Sequence, residues 1–188
     1  MVDLKCLLCT DLLYFVFKTG FTLTSKKKYI LDAATAAKKL RRMAYEILEN
    51  NTDTPGIVLA GIRESGSVIA RNIRRLLAEI SPLPVDLITI TLDKKRPAAV
   101  TLSEPVNFDN KIIIVVDDVV NSGKTLLYAL KPFLEFHPAK IQTLVLVERS
   151  HKAFPVKPDY VGLSIATTPE EHIYVEVEGE EVKGAYLE

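Results

Sequence analysis

Two adjacent carboxylates and the short polar loop that follows them are the part of this sequence best suited to chemistry. Asp117 and Asp118 come at the end of an apolar run, and the loop of residues 121–125, with the sequence NSGKT, follows shortly after. Carboxylates can accept hydrogen bonds from the hydroxyl groups of a sugar. Backbone amides and hydroxyl groups in a small loop that opens a helix can bind a phosphate. Together these residues indicate a site for a phosphorylated sugar.

Two other interpretations of this segment stay open from residue spacing alone. In the first, the two acids cap neighbouring backbone amides and bind no ligand. In the second, Ser-Gly-Lys-Thr is the end of a nucleotide-triphosphatase phosphate loop. The sequence lacks the first glycine of that motif and has acidic residues nearby instead, which disfavours triphosphate binding.

An alternation of strand and helix patterns surrounds the segment. Apolar positions at helical spacing and short β-branched runs predict a mostly parallel, doubly wound α/β sheet. Asp32 is a suitable N-cap for the first helix. The predicted order is helix 32–50, strand 56–62, helix 68–80, strand 85–92, loop 93–110, strand 111–116, helix 125–136 and strand 141–147, with short strand-like pieces at 160–165 and 172–177.

An apolar strand, two acids and a Ser-Gly-Lys-Thr loop resemble the signature of the type I phosphoribosyltransferases. The resemblance covers about residues 28–187, including the turn 61–66 and the segment 148–162. Within this family it is greatest to the bifunctional regulators of pyrimidine operons that are also uracil phosphoribosyltransferases. The resemblance implies a type I phosphoribosyltransferase domain over residues 26–188, with a small C-terminal hood from about residues 149–188. Residues 1–25 are then an N-terminal appendage.

The resemblance also implies a role for each part of the site. Asp117 and Asp118 would face the ribose diol of phosphoribosyl pyrophosphate and contact Mg²⁺ only indirectly, through ribose or water. The family carries a cis peptide in the loop that binds pyrophosphate, which is expected here around Ile62-Arg63. The residues implied to hold the 5-phosphate are Asn121, Ser122, Gly123, Lys124 and Thr125, and those implied to bind pyrophosphate are Gly61, Ile62, Arg63 and Glu64.

Two positions bear on the nucleobase that accepts the ribose. The purine enzymes of the family have an acid at the position of Asn121 and a lysine at that of Glu148, and this chain has neither. The pyrimidine regulators share an acid at position 148 but have an aromatic residue at position 121. Arg149 is a further candidate for contact with the ligand. The predicted reaction is transfer of ribose 5-phosphate to uracil with release of pyrophosphate.

Two alternatives to this reaction stay open. One is an RNA-binding, pyrimidine-responsive regulator with weak or no catalysis, and the other is a purine-salvage (hypoxanthine-guanine) phosphoribosyltransferase. RNA binding is not favoured, because 24 basic and 24 acidic residues leave a net charge of +0 and therefore no overall attractive field. A local basic patch is still available on the first two predicted helices, from Lys38, Lys39, Arg41, Arg42, Arg71, Arg74 and Arg75.

The apolar runs also limit where the protein is found. The longest one in the N-terminal segment, residues 12–17, is far shorter than the ~20 residues that cross a bilayer. We therefore expect a cytoplasmic protein without a membrane partner. The resemblance further implies a homo-oligomer.

Overall fold

The structure is a computed structural model that describes residues 27–93, 97, 99–168 and 170–188. The expected appendage, residues 1–25, lies outside these residues, as do Lys94, Lys95 and Arg96 of the predicted loop. In the part that is described, no helix combines the length and the apolar character needed to span a membrane.

The described residues form a six-stranded sheet and a three-stranded sheet, which confirms the predicted α/β fold class. The larger sheet has the order β4-β3-β2-β5-β6-β7, and all neighbouring pairs are parallel except β3 with β4. The smaller, antiparallel sheet has the order β1-β9-β8. The elements are β1 (Lys28–Asp32), α1 (Ala33–Asn50), β2 (Ile57–Ile62), α2 (Ser65–Ile80), β3 (Val85–Leu92), β4 (Val100–Leu102), β5 (Ile112–Val120), α3 (Lys124–Ala129), a 3₁₀ turn (Lys131–Glu135), β6 (Lys140–Arg149), β7 (Tyr160–Ile165), β8 (Ile173–Glu178) and β9 (Glu181–Leu187).

Hydrophobic side chains from other elements cover both faces of the larger sheet. The helices α1 and α2 and the smaller sheet pack on one face, while α3, the 3₁₀ turn and Phe108 pack on the other. The central strands β5 and β6 are therefore apolar at successive positions, as expected for strands covered on both sides. This arrangement leaves the carboxyl ends of β2, β5 and β6 at one edge, where ligands bind in such sheets.

Two elements differ from the sequence prediction near the polar loop. β5 continues to Val120 rather than ending at Val116, because its pairing with β6 continues through Val119 with Val147 and Val120 with Glu148. The helix predicted over 125–136 is divided into α3 and the 3₁₀ turn. Pro132 explains the division, since proline has no N–H to donate and disfavours helical geometry in the residue before it.

Three strands were not predicted, and they change how the C-terminal residues are arranged. β4 forms inside the predicted loop 93–110, where it pairs with the end of β3. β1 and β9 complete the smaller sheet together with β8. Of the residues assigned to a hood from about 149 to 188, those of β7 lie in the larger sheet instead. Short strands of this kind depend on partners that are distant in the sequence.

Candidate active site

A cleft of about 410 Å³ lies at the carboxyl end of β5. The end of β5 and the polar loop line it, and so does the beginning of β8. The first turn of α2 contributes Ser65. The lining residues are Ser65, Asp117, Asp118, Val119, Val120, Asn121, Ser122, Gly123, Thr125, Leu126, Ile173, Tyr174 and Val175. The structure thus brings together the two acids and most of the predicted phosphate loop.

The two acids have different environments. Asp117 is 1% exposed, and its Oδ1 accepts the backbone N–H of Asp118 at 3.0 Å. Asp118 is half-buried and lines the cleft. A buried carboxylate needs such hydrogen bonds to offset its lost hydration. The pair therefore presents one fixed carboxylate and one that is more accessible.

Gly66 allows α2 to approach the acids closely. A Cβ at this position would lie 2.7 Å from the carbonyl oxygen of Val116 and 3.1 Å from the Cα of Asp117. Gly61, at the end of β2, has a similar role, because its Cβ would lie 2.7 Å from the Cα of Ser67. The tight turn from β2 into α2 therefore forms part of the cleft wall beside Asp117.

The polar loop is fixed from behind by a later segment of the chain. The carbonyl oxygen of Ser122 accepts the backbone N–H groups of Ala153 and Phe154 at 3.1 and 3.0 Å. Gly123 has a φ of +83°, which favours glycine, and its Cβ would lie 3.3 Å from the carbonyl oxygen of Phe154. Lys124, also in the loop, is the first residue of α3 and does not line the cleft.

Asn121 carries an oxygen without a partner. Its Oδ1 is buried, yet it accepts no hydrogen bond from the described residues. Leaving a buried acceptor unsatisfied costs about 1–3 kcal/mol. Because Asn121 lines the cleft, a donor on a bound ligand or an ordered water would satisfy this oxygen.

The loop after β2 borders a second hollow, of about 380 Å³, lined by Arg63, Glu64, Ser65, Thr91 and Leu92. Ser65 borders both the hollow and the cleft. The cis peptide lies between Arg63 and Glu64, one bond later than expected. The backbone N–H of Arg63 still donates to Ile90 at 2.9 Å, so the pairing of β2 with β3 extends past Ile62. Gly61 and Ile62 are consequently buried in the strand.

Glu148 and Arg149 lie beside the cleft but do not line it. Glu148 is opposite Val120 in the strand register, and its Oε2 is 2.7 Å from Nζ of Lys152. Arg149 donates a hydrogen bond from Nη2 to the backbone carbonyl of Glu171. Both side chains are thus engaged by other parts of the chain. Sequence reasoning missed Lys152 as the partner of Glu148.

Comparison with known proteins decides the family. Residues 27–180 match the phosphoribosyl transferase domain. The chain belongs to this family. The bifunctional protein pyrR of Enterococcus faecalis is 37% identical over 161 residues, which cover 81% of this chain and 90% of that protein. The bifunctional protein PyrR of Streptococcus mutans is 37% identical over 155 residues, covering 80% and 88%. The prediction that the chain is a phosphoribosyltransferase is confirmed.

Solved structures of phosphoribosyltransferases share the fold. A hypoxanthine-guanine phosphoribosyltransferase from Bacillus anthracis has a TM-score of 0.65 at 23% identity, covering 78% of this chain and 85% of that one. The hypoxanthine phosphoribosyltransferase of Trypanosoma cruzi has a TM-score of 0.71 at 16% identity, covering 85% and 95%. At these identities the similarity shows the fold of this phosphoribosyltransferase and not its substrate.

The wall formed by β8 was not predicted from the sequence. Ile173, Tyr174 and Val175 line the same cleft as the acids. In the described part of the chain β8 pairs with β9 alone, so its other edge has no strand partner. The alternating pattern of residues 172–177 did indicate a strand. Nothing in the sequence indicated that this strand borders the same cleft as Asp118.

Proposed function

We propose that this phosphoribosyltransferase transfers ribose 5-phosphate from phosphoribosyl pyrophosphate to a nucleobase, with uracil as the preferred acceptor. The observation that carries the proposal is the cleft in which Asp117, Asp118 and the loop 121–125 meet the open edge of β8. The acids suit a ribose diol, the loop suits a phosphate, and the strand edge suits a planar base. A cleft of this volume is of the usual size for a small-molecule site.

The parts of phosphoribosyl pyrophosphate fit neighbouring parts of the site. We place the 5-phosphate against the loop 121–125. The backbone N–H groups of Ala153 and Phe154 hold this loop by donating to the carbonyl oxygen of Ser122. The ribose hydroxyls then face the two acids. The pyrophosphate extends past Ser65 into the hollow bordered by Arg63, which offers a guanidinium for the leaving oxygens. Because Ser65 borders both cavities, one ligand can occupy them together.

The residues present also fit Mg²⁺, the cofactor that the family implies. Among the residues that the structure describes, no three His, Cys, Asp or Glu side chains gather into a metal site. Mg²⁺ is usually bound through one or two carboxylates together with substrate oxygens and water. Asp117 and Asp118 would therefore hold it indirectly, through the ribose or water. A bound Mg²⁺ would supply charge neutralisation at the pyrophosphate.

The reaction breaks the bond from the anomeric carbon to pyrophosphate and forms one from that carbon to a nitrogen of the base. Positive charge spreads over the ribose ring as the leaving group departs, as it does in glycoside cleavage. The carboxylate of Asp118 at the edge of the cleft favours that charge. The fixed loop and the strand edge hold the two reactants face to face, which lowers the entropic part of the barrier.

The edge of β8 provides the hydrogen-bonding groups for the base. His172 and Glu188 exchange both backbone hydrogen bonds, at 2.8 and 3.1 Å. In an antiparallel pair the next residues along each strand point their N–H and C=O groups to the opposite side. Ile173 and Val175, opposite Leu187 and Ala185 in the register, therefore point these groups away from β9. Both residues line the cleft, and we place the base against these groups. A base with an adjacent N–H and carbonyl can pair with them.

The side chains near this edge favour uracil over a 6-oxopurine. Asn121 is a neutral amide and cannot take a proton from a purine ring nitrogen. Glu148 occupies the position of the purine-recognising lysine, and its carboxylate is held by Lys152. The side chain at 148 therefore has no ammonium group to donate to the carbonyl of a purine.

A screen of uracil, hypoxanthine, guanine, xanthine, adenine and orotate for pyrophosphate release tests the proposal. We expect kcat/KM for uracil to exceed those for hypoxanthine and guanine by about tenfold, which needs only ~1.4 kcal/mol of differential transition-state binding. Better use of a purine would replace the uracil assignment with the purine-salvage alternative. If no base gave pyrophosphate release, the regulatory alternative would take the place of catalysis.

The regulatory alternative has one supporting feature, a shallow groove on α1 bordered by Lys38, Arg41, Arg42 and Tyr45. Acidic neighbours reduce its attraction for RNA, because Glu46 pairs with Arg42. On α2, Arg71 lies 3.1 Å from Glu180 and Arg75 lies 3.6 Å from Glu79. RNA binding that weakens steeply with salt would support this second function. We further propose a cytoplasmic location and a homo-oligomer. Sedimentation of the purified chain would test the oligomeric state.

A further inference from the structure

The segment that leads into β8 is attached to the larger sheet by Arg149. Its guanidinium donates from Nη2 to the backbone carbonyl of Glu171, just before β8 begins. The side chain of Glu171 in turn accepts the backbone N–H of Thr168 at 2.8 Å. The backbone of His172 is then paired with Glu188. The beginning of β8 is therefore held from the larger sheet and from β9.

Arg149 is itself well anchored. It ends β6 and is paired with Ile165 of β7 in the register. Its backbone carbonyl accepts a hydrogen bond from Nζ of Lys152 at 3.2 Å. Lys152 and Glu148 form an ion pair in which the side chains are only 13% and 15% exposed. The guanidinium thus extends from a fixed strand end.

The opposite end of β8 is held by a different element. Nδ2 of Asn72, on α2, donates to the backbone carbonyl of Glu180 in the turn after β8, at 2.8 Å. The cleft is lined by Ile173, Tyr174 and Val175, which lie near the Arg149 end of the strand. Tyr29 holds β8 between these two ends, by a hydrogen bond from its hydroxyl to Glu176 at 2.8 Å. The contact made by Arg149 is the one at the end of β8 where the strand enters the cleft wall.

We infer that Arg149 is a positioning residue that fixes the edge of β8, and with it the width of the cleft, without touching the base. The inference rests on the proposed function in one respect, since it takes the base to bind at that edge. A hydrogen bond from a guanidinium is stronger than a neutral one, so its loss allows the strand to open locally. A looser edge weakens binding of the base and leaves unaffected the binding of phosphoribosyl pyrophosphate, which we place against the acids and the polar loop.

Direct contact with the ligand is the competing role for this side chain. Nε of Arg149 is buried and has no hydrogen-bond partner among the described residues, so it has a donor left to offer. The two roles differ before any ligand is added. A positioning residue restrains β8 in the free enzyme, whereas a contact residue acts only once the base is bound.

Arg149→Met in the full-length chain separates the two roles. Its matched control is Arg42→Met, because Arg42 also donates from Nη2 to a backbone carbonyl, that of Val161, away from the cleft. Amide exchange of the ligand-free proteins is followed by mass spectrometry. We expect peptides from residues 170–176 to exchange at least about tenfold faster in Arg149→Met, and to be unchanged in Arg42→Met. Arg149→Lys, which retains a charged donor, restores part of the protection.

Kinetics provide the second measurement. We expect the KM for the base to rise by about tenfold in Arg149→Met, with the Kd of phosphoribosyl pyrophosphate unchanged. If amide exchange of residues 170–176 is unchanged while the KM for the base rises, the inference is wrong and Arg149 contacts the base directly. If neither the exchange nor the KM changes, Arg149 has neither role and the inference is also wrong. If Arg149→Met does not fold, Arg149→Gln takes its place in the same comparison. Because exchange is measured without substrate, it remains decisive even if the wild-type chain turns over no base.

Discussion

At the scale of single residues, Gly66 determines how closely α2 approaches the two acids. Replacement by alanine would put a Cβ 2.7 Å from a backbone oxygen of β5, and backbone cannot move aside as a side chain can. Overpacking of this kind costs about 1–3 kcal/mol. We therefore expect Gly66→Ala to lower the free energy of unfolding by that amount in urea titrations. Displacement of Asp117 should also weaken phosphoribosyl pyrophosphate binding by about tenfold to a hundredfold.

Gly179→Ala is the matched control for this substitution. Gly179 has a φ of +59°, but a Cβ there would meet nothing within 4 Å. The variant should lose about 1 kcal/mol through backbone strain and retain its affinity for phosphoribosyl pyrophosphate. If Gly66→Ala and Gly179→Ala bound phosphoribosyl pyrophosphate with equal affinity, the close approach of α2 would not be what positions the acids.

Single residues were predictable where their chemistry follows from the local sequence. The meeting of Asp117, Asp118 and most of the loop 121–125 at one cleft was predictable because strand, acids and loop are adjacent in the chain. The surroundings of Glu148 and Arg149 were not predictable in the same way. Arg149 donates to the backbone of Glu171, and backbone carbonyls carry no signal in a sequence.

At the scale of elements, the beginning of α1 depends on Asp32, whose Oδ1 accepts the backbone N–H of Thr35 at 2.6 Å. This hydrogen bond lowers the pKa of the Asp32 carboxyl below its ordinary value of 3.8. A lowered pKa in the folded state contributes stability above the ordinary value, and that stability is lost as the pH falls through the folded pKa. We expect Asp32→Ala to lower the midpoint of thermal unfolding by a few degrees at neutral pH.

The difference in unfolding midpoint between the wild type and Asp32→Ala should depend on pH if the charged carboxylate is its cause. It should shrink as the pH falls below 3.8, because the wild-type carboxyl becomes protonated there. Asp32→Asn keeps a capping oxygen that neither carries charge nor titrates, so it should recover only part of the lost stability at neutral pH, and that part should not change as the pH falls. A difference between wild type and Asp32→Ala that persisted unchanged into acid would show that the charge of Asp32 does not contribute.

Long, strongly patterned elements could be predicted from the sequence, and short ones could not. α1 and α2 have clear helical spacing of buried residues, and β3 matches its predicted bounds. β1 and β9 are recognisable only through each other, since they pair across almost the whole length of the chain. The extension of β5 to Val120 likewise depends on β6.

At the scale of the whole molecule, the phosphoribosyltransferase domain accounts for most of the chain, with the family match beginning at residue 27. We predict that deletion of residues 1–25 leaves catalysis unchanged, because every cleft residue lies after them. Pyrophosphate release and sedimentation of the shortened chain check this. Loss of folding, or dissociation of an oligomer, would show that the segment is needed for the domain or its assembly.

The central claim is that Asp117 and Asp118 bind the ribose of phosphoribosyl pyrophosphate. Isothermal titration calorimetry in the presence of Mg²⁺, on Asp117→Asn with Asp118→Asn, tests it most directly, with thermal unfolding to confirm the fold. The control is Asp53→Asn with Asp86→Asn, which also removes two carboxylates but at exposed positions outside the cleft. The account predicts that binding is lost in the first variant and retained in the second. Wild-type affinity in a folded Asp117→Asn, Asp118→Asn protein would contradict it.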